Sequence, residues 1–126
     1  MIRVLFVDDE QRVLDGLKRS LRPLRNEFET EFASSGLSAL EVLEARRFDV
    51  LVSDMRMPGM DGFALLNAVM ERHPHLLRLA LSGQSEMEAK VRAMGVAHHY
   101  FAKPCEIDEL IGTVRRLMTS HALAPD

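Results

Sequence analysis

Apolar residues fall into two kinds of run that take turns along the chain. Short runs rich in leucine and β-branched residues occupy positions 2–7, 28–32, 50–52, 77–81 and 98–101, as strands of a buried sheet require. Between them the apolar positions recur at helical spacing. Val13, Leu14, Leu17 and Leu21 share one face, as do Leu37, Leu40 and Leu43, and then Phe63, Leu66, Val69 and Met70. The clearest stripe is Ile107, Leu110, Ile111, Val114, Leu117 and Met118. Punctuation agrees with this division. Asp61 precedes the third helix and Pro74 follows its end; Ser85 with Glu88 forms a capping box for the fourth, and Gly95 stands just past its end. Strands alternating with helices predict an α/β fold with a parallel sheet. The central runs are almost continuously apolar, which suits strands covered on both faces. Phe28-Glu29-Thr30-Glu31-Phe32 alternates instead and predicts an edge strand. No repeat or internal boundary appears, so residues 1–118 read as one domain and 119–126 as a free tail or linker stub.

Composition narrows the class. The 126 residues are 47% apolar and 28% charged, ordinary values for one globular domain with a real core. Sixteen Lys and Arg against nineteen Asp and Glu give a net charge of -3. Phosphate-backbone binding needs clustered cations, so direct nucleic-acid binding is not expected. A lone cysteine, Cys105, excludes an internal disulfide and points to a reducing compartment. The start of the chain lacks a signal-peptide pattern, and no apolar stretch approaches the roughly 18 residues of a membrane span. The expectation is a cytoplasmic protein with no membrane contact. His73, His75, His98 and His99 lack the spacing of a zinc site. Cys105 reads as an inert thiol, and Met55, Met57, Met60, Met87 and Met94 as packing.

The polar residues at the strand ends change the picture. In an open parallel sheet ligands bind outside the carboxyl ends of the strands. The first strand ends in Asp8-Asp9-Glu10, the third in Asp54, the fourth in Ser82-Gly83 and the fifth in Lys103-Pro104. Three carboxylates gathered on one rim repel one another, and at neutral pH they need a cation. Oxygen ligands with room for water suit Mg²⁺, with Mn²⁺ as a substitute. Asp54 could then attack a phosphoryl donor, with Lys103 and Ser82 meeting the charge on the transferring group. Each residue has a plainer reading as well. Asp8-Asp9 could cap a helix, Ser82 could be a turn residue, and Tyr100 a core aromatic.

The motifs Val-Asp-Asp-Glu at 7–10, Asp-Met-Arg-Met-Pro-Gly-Met-Asp-Gly at 54–62, Leu-Ser-Gly at 81–83 and Tyr-Phe-Ala-Lys-Pro at 100–104 resemble the receiver domain of two-component response regulators. The resemblance runs in order through nearly the whole chain. It implies a flavodoxin-like (βα)5 doubly wound sheet of strand order 2-1-3-4-5. It also implies that Asp54 is the phosphoacceptor, that Asp8 and Asp9 hold Mg²⁺ with Asp54, and that the Arg56 carbonyl is a backbone ligand. Ser82 matches the switch hydroxyl, Lys103 the phosphate-contacting lysine and Tyr100 the switch aromatic. Arg56 and Gln84 stand at the positions that tune phosphoryl loss, and the Lys103–Pro104 bond is expected to be cis. Implied partners are a sensor histidine kinase or phosphotransfer protein, an output domain in cis or in trans, and a second copy through the helix 4–strand 5–helix 5 surface. The stretch from 72 to 105 resembles receivers attached to HD-type hydrolase-related modules. Two other classes compete. A haloacid-dehalogenase-type phosphatase also uses an Asp nucleophile with Mg²⁺, but it needs Asp-x-Asp after the first strand, where Asp8-Asp9-Glu10 stands. A receiver that only docks partners, without phosphate, is the second.

Overall fold

The computed structural model describes residues 1–83 and 85–123, with the main chain alone for 85–88, 93 and 122–123. Five strands alternate with five helices: β1 Ile2–Val7, α1 Gln11–Leu21, β2 Phe28–Ala33, α2 Gly36–Ala45, β3 Val50–Asp54, α3 Gly62–Arg72, β4 Leu77–Ser82, α4 Ser85–Met94, β5 His99–Ala102 and α5 Ile107–Leu123. A short 3-10 turn at Arg22–Leu24 follows α1. All neighbouring strands are parallel, in the order β2-β1-β3-β4-β5. The alternating strand therefore lies at an edge, where one side of its ladder meets no further strand. Among the described residues no helix is long and apolar enough to cross a membrane.

Strand alternation sorts the core into two layers. Leu5, Val7 and Leu51 face α2, α3 and α4, packing on Leu40, Leu43, Leu66, Val69 and Val91. Val4, Phe6, Val50, Val52, Leu77 and Leu79 face the other way, onto Leu14 and Leu21 of α1 and Leu110, Ile111 and Val114 of α5. With helices on both faces, β3 is buried at every position, which explains the apolar run at 50–52.

Three local expectations shift. Leu37 is 64% exposed, because the inward face of α2 runs through Gly36, Ala39, Leu40 and Leu43; residues 37 and 43 lie six apart, too far round a 3.6-residue turn to share it. Met94 is exposed as well, while Met55 and Met57 are buried as expected. The helical main chain of α5 continues past Met118 to Leu123, so residues 119–123 extend the helix. Gly95 adopts a positive φ of 64° directly after α4, the left-handed turn that glycine supplies at a helix end. The capping side chains Ser85 and Glu88, together with Met87, Gln84 and residues 124–126, lie outside what is described.

Candidate functional site

Register brings the strand tips together. Val7 pairs with Ser53 and Asp54 with Leu81, while Ser82 pairs with Ala102, so β1, β3, β4 and β5 end at nearly the same level. Beyond Val7 the chain turns into α1 at Asp8. The Oδ1 atom of Asp8 accepts the Glu10 amide at 2.9 Å, a local turn ahead of α1, whose N-cap Glu10 carries no side-chain cap bond, so Asp8 does not cap the helix. Its other oxygen, Oδ2, lies 3.6 Å from the Lys103 Nζ.

At the centre is Asp54, whose Oδ1 is 3.0 Å from Lys103 Nζ. Carboxylate oxygens of Asp8, Asp9 and Asp54 all lie within 4.8 Å of one another; Asp8 and Asp54 are buried and Asp9 is exposed. Among the described residues Lys103 pairs with two of these three carboxylates, Asp8 and Asp54, which leaves a formal excess of two negative charges. Burial raises the Asp54 pKa above its ordinary value; Lys103 pulls it back only in part, and Asp8 adds to the rise. Burial alone would lower Lys103, but the adjoining carboxylates of Asp54 and Asp8 outweigh it and hold the ammonium above its usual range. The site therefore keeps its cation, while Asp54 holds its negative charge less readily than a free carboxylate does. A donor set made of oxygens alone, short of two positive charges, fits a hard divalent ion such as Mg²⁺.

The loop after Asp54 is held from below. Met55 donates its amide to Leu81 O at 3.2 Å, and Gly62 donates to Met55 O at 3.1 Å. Asp61 caps α3 by accepting the Ala64 amide at 2.9 Å. Gly62 is required here: a Cβ on it would stand 2.6 Å from Asp54 O and from Met55 Cα. Arg56 sits exposed on this loop. Ser82 is buried at the tip of β4, and its carbonyl accepts the Lys103 amide at 2.9 Å and the Tyr100 hydroxyl at 3.4 Å. Lys103, Ser82 and Tyr100 are thereby joined through one main-chain oxygen. The Lys103–Pro104 bond is cis. Cys105 is half-buried, with its thiol pKa raised by burial and then by Glu109 and Glu106, which disfavours the reactive thiolate.

Of the residues singled out from sequence, the structure brings Asp8, Asp9, Asp54, Lys103 and Ser82 to one rim. Gln84 lies outside the described residues. Two buried polar residues were not singled out from sequence: Ser53, beside Asp54 and fully buried with its hydroxyl donated to Asp54 O at 2.9 Å, and Arg78, a buried guanidinium remote from the site. Arg78 donates to Val96 O at 2.9 Å and Leu76 O at 3.3 Å, so backbone carbonyls at the far end of the sheet solvate its charge. A serine within an apolar strand, and an arginine opening one, were the only hints.

Comparison with known proteins agrees with this geometry. The family model of the response regulator receiver domain matches residues 4–115. The DNA-binding transcriptional regulator NtrC of Escherichia coli (strain K12) is 37% identical over 119 residues, covering 94% of this chain and 25% of NtrC. The chain thus spans about a quarter of the length of the NtrC relatives it matches. The signal receiver domain of an HD domain-containing protein from Pseudomonas fluorescens Pf-5 superposes with a TM-score of 0.89 at 28% identity, covering 98% of both chains. The response regulator TrrA of Thermotoga maritima, solved with Mg²⁺ and a beryllium fluoride, gives a TM-score of 0.82 at 26% identity over 93% of this chain and 99% of that one. With its parallel 2-1-3-4-5 sheet and acidic pocket, this chain belongs to the receiver-domain family of response regulators, phosphoacceptor modules of two-component signalling.

Proposed function

We propose that this receiver is phosphorylated on Asp54 by a histidine kinase or phosphotransfer protein, and that the modification switches its α4–β5–α5 surface. One observation carries the reading: Asp8, Asp9 and Asp54 converge within 4.8 Å, and Asp8 and Asp54 share the Lys103 ammonium. Asp8, Asp9, Asp54 and the Arg56 carbonyl are the groups that would hold Mg²⁺. Bound there, the ion supplies neutralisation of the pocket and of the oxygens on an incoming phosphoryl group.

The chain's own residues do the rest. An Asp54 carboxylate oxygen forms the new bond to phosphorus as the bond to the donor's imidazole nitrogen breaks, and that nitrogen keeps the electron pair. Lys103, already 3.0 Å from Asp54, meets the negative charge carried by the phosphoryl oxygens. Ser82 stands next in line at the tip of β4 to donate its hydroxyl to the same group. Hydrolysis reverses the modification when water attacks phosphorus and the Asp54 carboxylate leaves. The resemblance assigns Arg56, exposed on the loop after Asp54, and Gln84 the tuning of that step. Movement of Ser82 is felt by Tyr100 through their shared carbonyl contact. The phosphoryl group shifts a pre-existing equilibrium through contacts that differ between two states. We assign the output to a module in cis or in trans, of HD-related type by likeness to the Pseudomonas neighbour, with a homodimer through the same surface.

The test is incubation with Mg²⁺ and acetyl phosphate. The reading expects one acid-stable, base-labile phosphoryl group per chain, lost on chelation and in Asp54→Asn, and altered amide exchange over α4, β5 and α5. Full labelling of Asp54→Asn overturns the assignment of Asp54. Absence of any labelling in the native protein favours docking without phosphate.

A further inference from the structure

We propose that Ser53 is a positioning residue for the phosphoacceptor, acting through the Asp54 main-chain carbonyl; this rests on the reading that Asp54 accepts the phosphoryl group. The two sides of β3 end differently. On the β4 side pairing continues through Asp54↔Leu81, and the Met55 amide still finds Leu81 O at 3.2 Å. On the β1 side the last pair is Val7↔Ser53, because β1 turns into the site at Asp8. Main-chain groups of successive strand residues point to opposite neighbours. With Met55 aimed at β4, the Asp54 carbonyl points to the side where β1 has ended. A buried carbonyl without a partner is strongly disfavoured.

The Ser53 hydroxyl fills that gap. It is fully buried and donates to Asp54 O at 2.9 Å. The start of α3 closes on the same oxygen, leaving no room for a Cβ at Gly62. Between hydroxyl and helix, the peptide plane joining residues 54 and 55 has one seat. That plane sets where the Asp54 side chain leaves the backbone, and so its distance to Lys103. It also sets where the Arg56 loop begins. Deleting the hydroxyl removes one of the two hydrogen bonds on that plane, leaving the Met55 amide to hold it alone, while every charged group of the site stays present.

Acetyl phosphate labelling with Mg²⁺ would be followed in the native protein, Ser53→Ala, Ser53→Thr and Asp54→Asn, recording the saturated rate, the half-saturating donor concentration and the melting midpoint. Ser53→Ala is expected to lower the saturated rate about tenfold, as small misplacements of a reacting group do, with little change in half-saturation. Ser53→Thr, which keeps the hydroxyl, restores it. A role in stability alone would move the midpoint and spare the rate of the folded protein. Should Ser53→Ala not fold, Ser53→Cys, of similar volume but weak as a donor, reads the same difference. Native rates in Ser53→Ala or Ser53→Cys overturn the proposal, and Asp54→Asn shows separately whether the phosphoacceptor assignment stands.

Discussion

Glycine-to-alanine substitution should give opposite results at two places in this chain. At Gly62 the new Cβ would meet Asp54 O and Met55 Cα at 2.6 Å. Ordinary carbon contacts lie nearer 3.5–4.0 Å, so something must move by about an ångström. Both obstructing atoms are backbone, at the end of a strand held in the sheet, and neither can rotate away. Overpacking of this kind costs about 1–3 kcal/mol, and a rigid neighbour puts Gly62→Ala near the top of that range. The helix preference of alanine returns less than about 1 kcal/mol at the first position of α3. A net loss of about 2 kcal/mol follows, or roughly 6–10 °C in melting midpoint for a domain of this size. Gly112 is the internal control: it is exposed on α5 and a Cβ there meets nothing within 4 Å. Gly112→Ala should therefore stabilise by about 1 kcal/mol. Urea unfolding monitored by circular dichroism measures both. Equal stability of Gly62→Ala and the native protein would refute the claim that α3 is pressed against the Asp54 carbonyl.

Two further outcomes are expected. Lys103→Met removes the ammonium paired with Asp8 and Asp54; at 3.0 Å from Asp54 and with its side chain partly exposed, the metal-free protein should lose about 2 kcal/mol at low salt, and added Mg²⁺ should close most of that gap. Equal metal-free stability of the variant, measured by urea unfolding, would count against the electrostatic description. At the far end of the sheet the Arg78 amide donates to His98 Nδ1 at 2.9 Å, and burial, then Arg78 and His121, lower the His98 pKa below its usual 6.5. Protonation is thus disfavoured in the folded state. Stability is unaffected above that value, falls as the pH drops below it, and levels off once the folded pKa is passed. His98→Asn, which keeps an acceptor for the amide, should flatten that slope in unfolding measured from pH about 7 to 5; an unchanged slope contradicts it.

The fold was legible because the helices cover both sheet faces, so each β3 neighbour betrays itself as an apolar run, and β2, at the edge, alternates. Leu37 shows where pattern fails: three leucines spaced by three look like a stripe, and only the pairing of α2 with its neighbours decides which side is inward. The rim of the site was legible for another reason. Asp8, Asp9, Asp54, Ser82 and Lys103 are polar residues interrupting apolar strands at their carboxyl ends, and the parallel topology gathers such ends. Ser53 was not, since its role depends on β1 ending one pair earlier than β4 does, a matter of register. Arg78 was likewise hidden, because its partners are the carbonyls of Leu76 and Val96, which carry no side-chain signature.

The most direct test of the central claim is to locate the modified residue itself. Native protein treated with Mg²⁺ and acetyl phosphate is reduced with borohydride, which converts an aspartyl phosphate to homoserine, and digested for peptide sequencing by mass spectrometry. Conversion at residue 54, absent when Mg²⁺ is chelated, is the result predicted by a pocket in which Asp8 and Asp9 assist and Asp54 reacts. Conversion at residue 8 or 9 with residue 54 intact would contradict it.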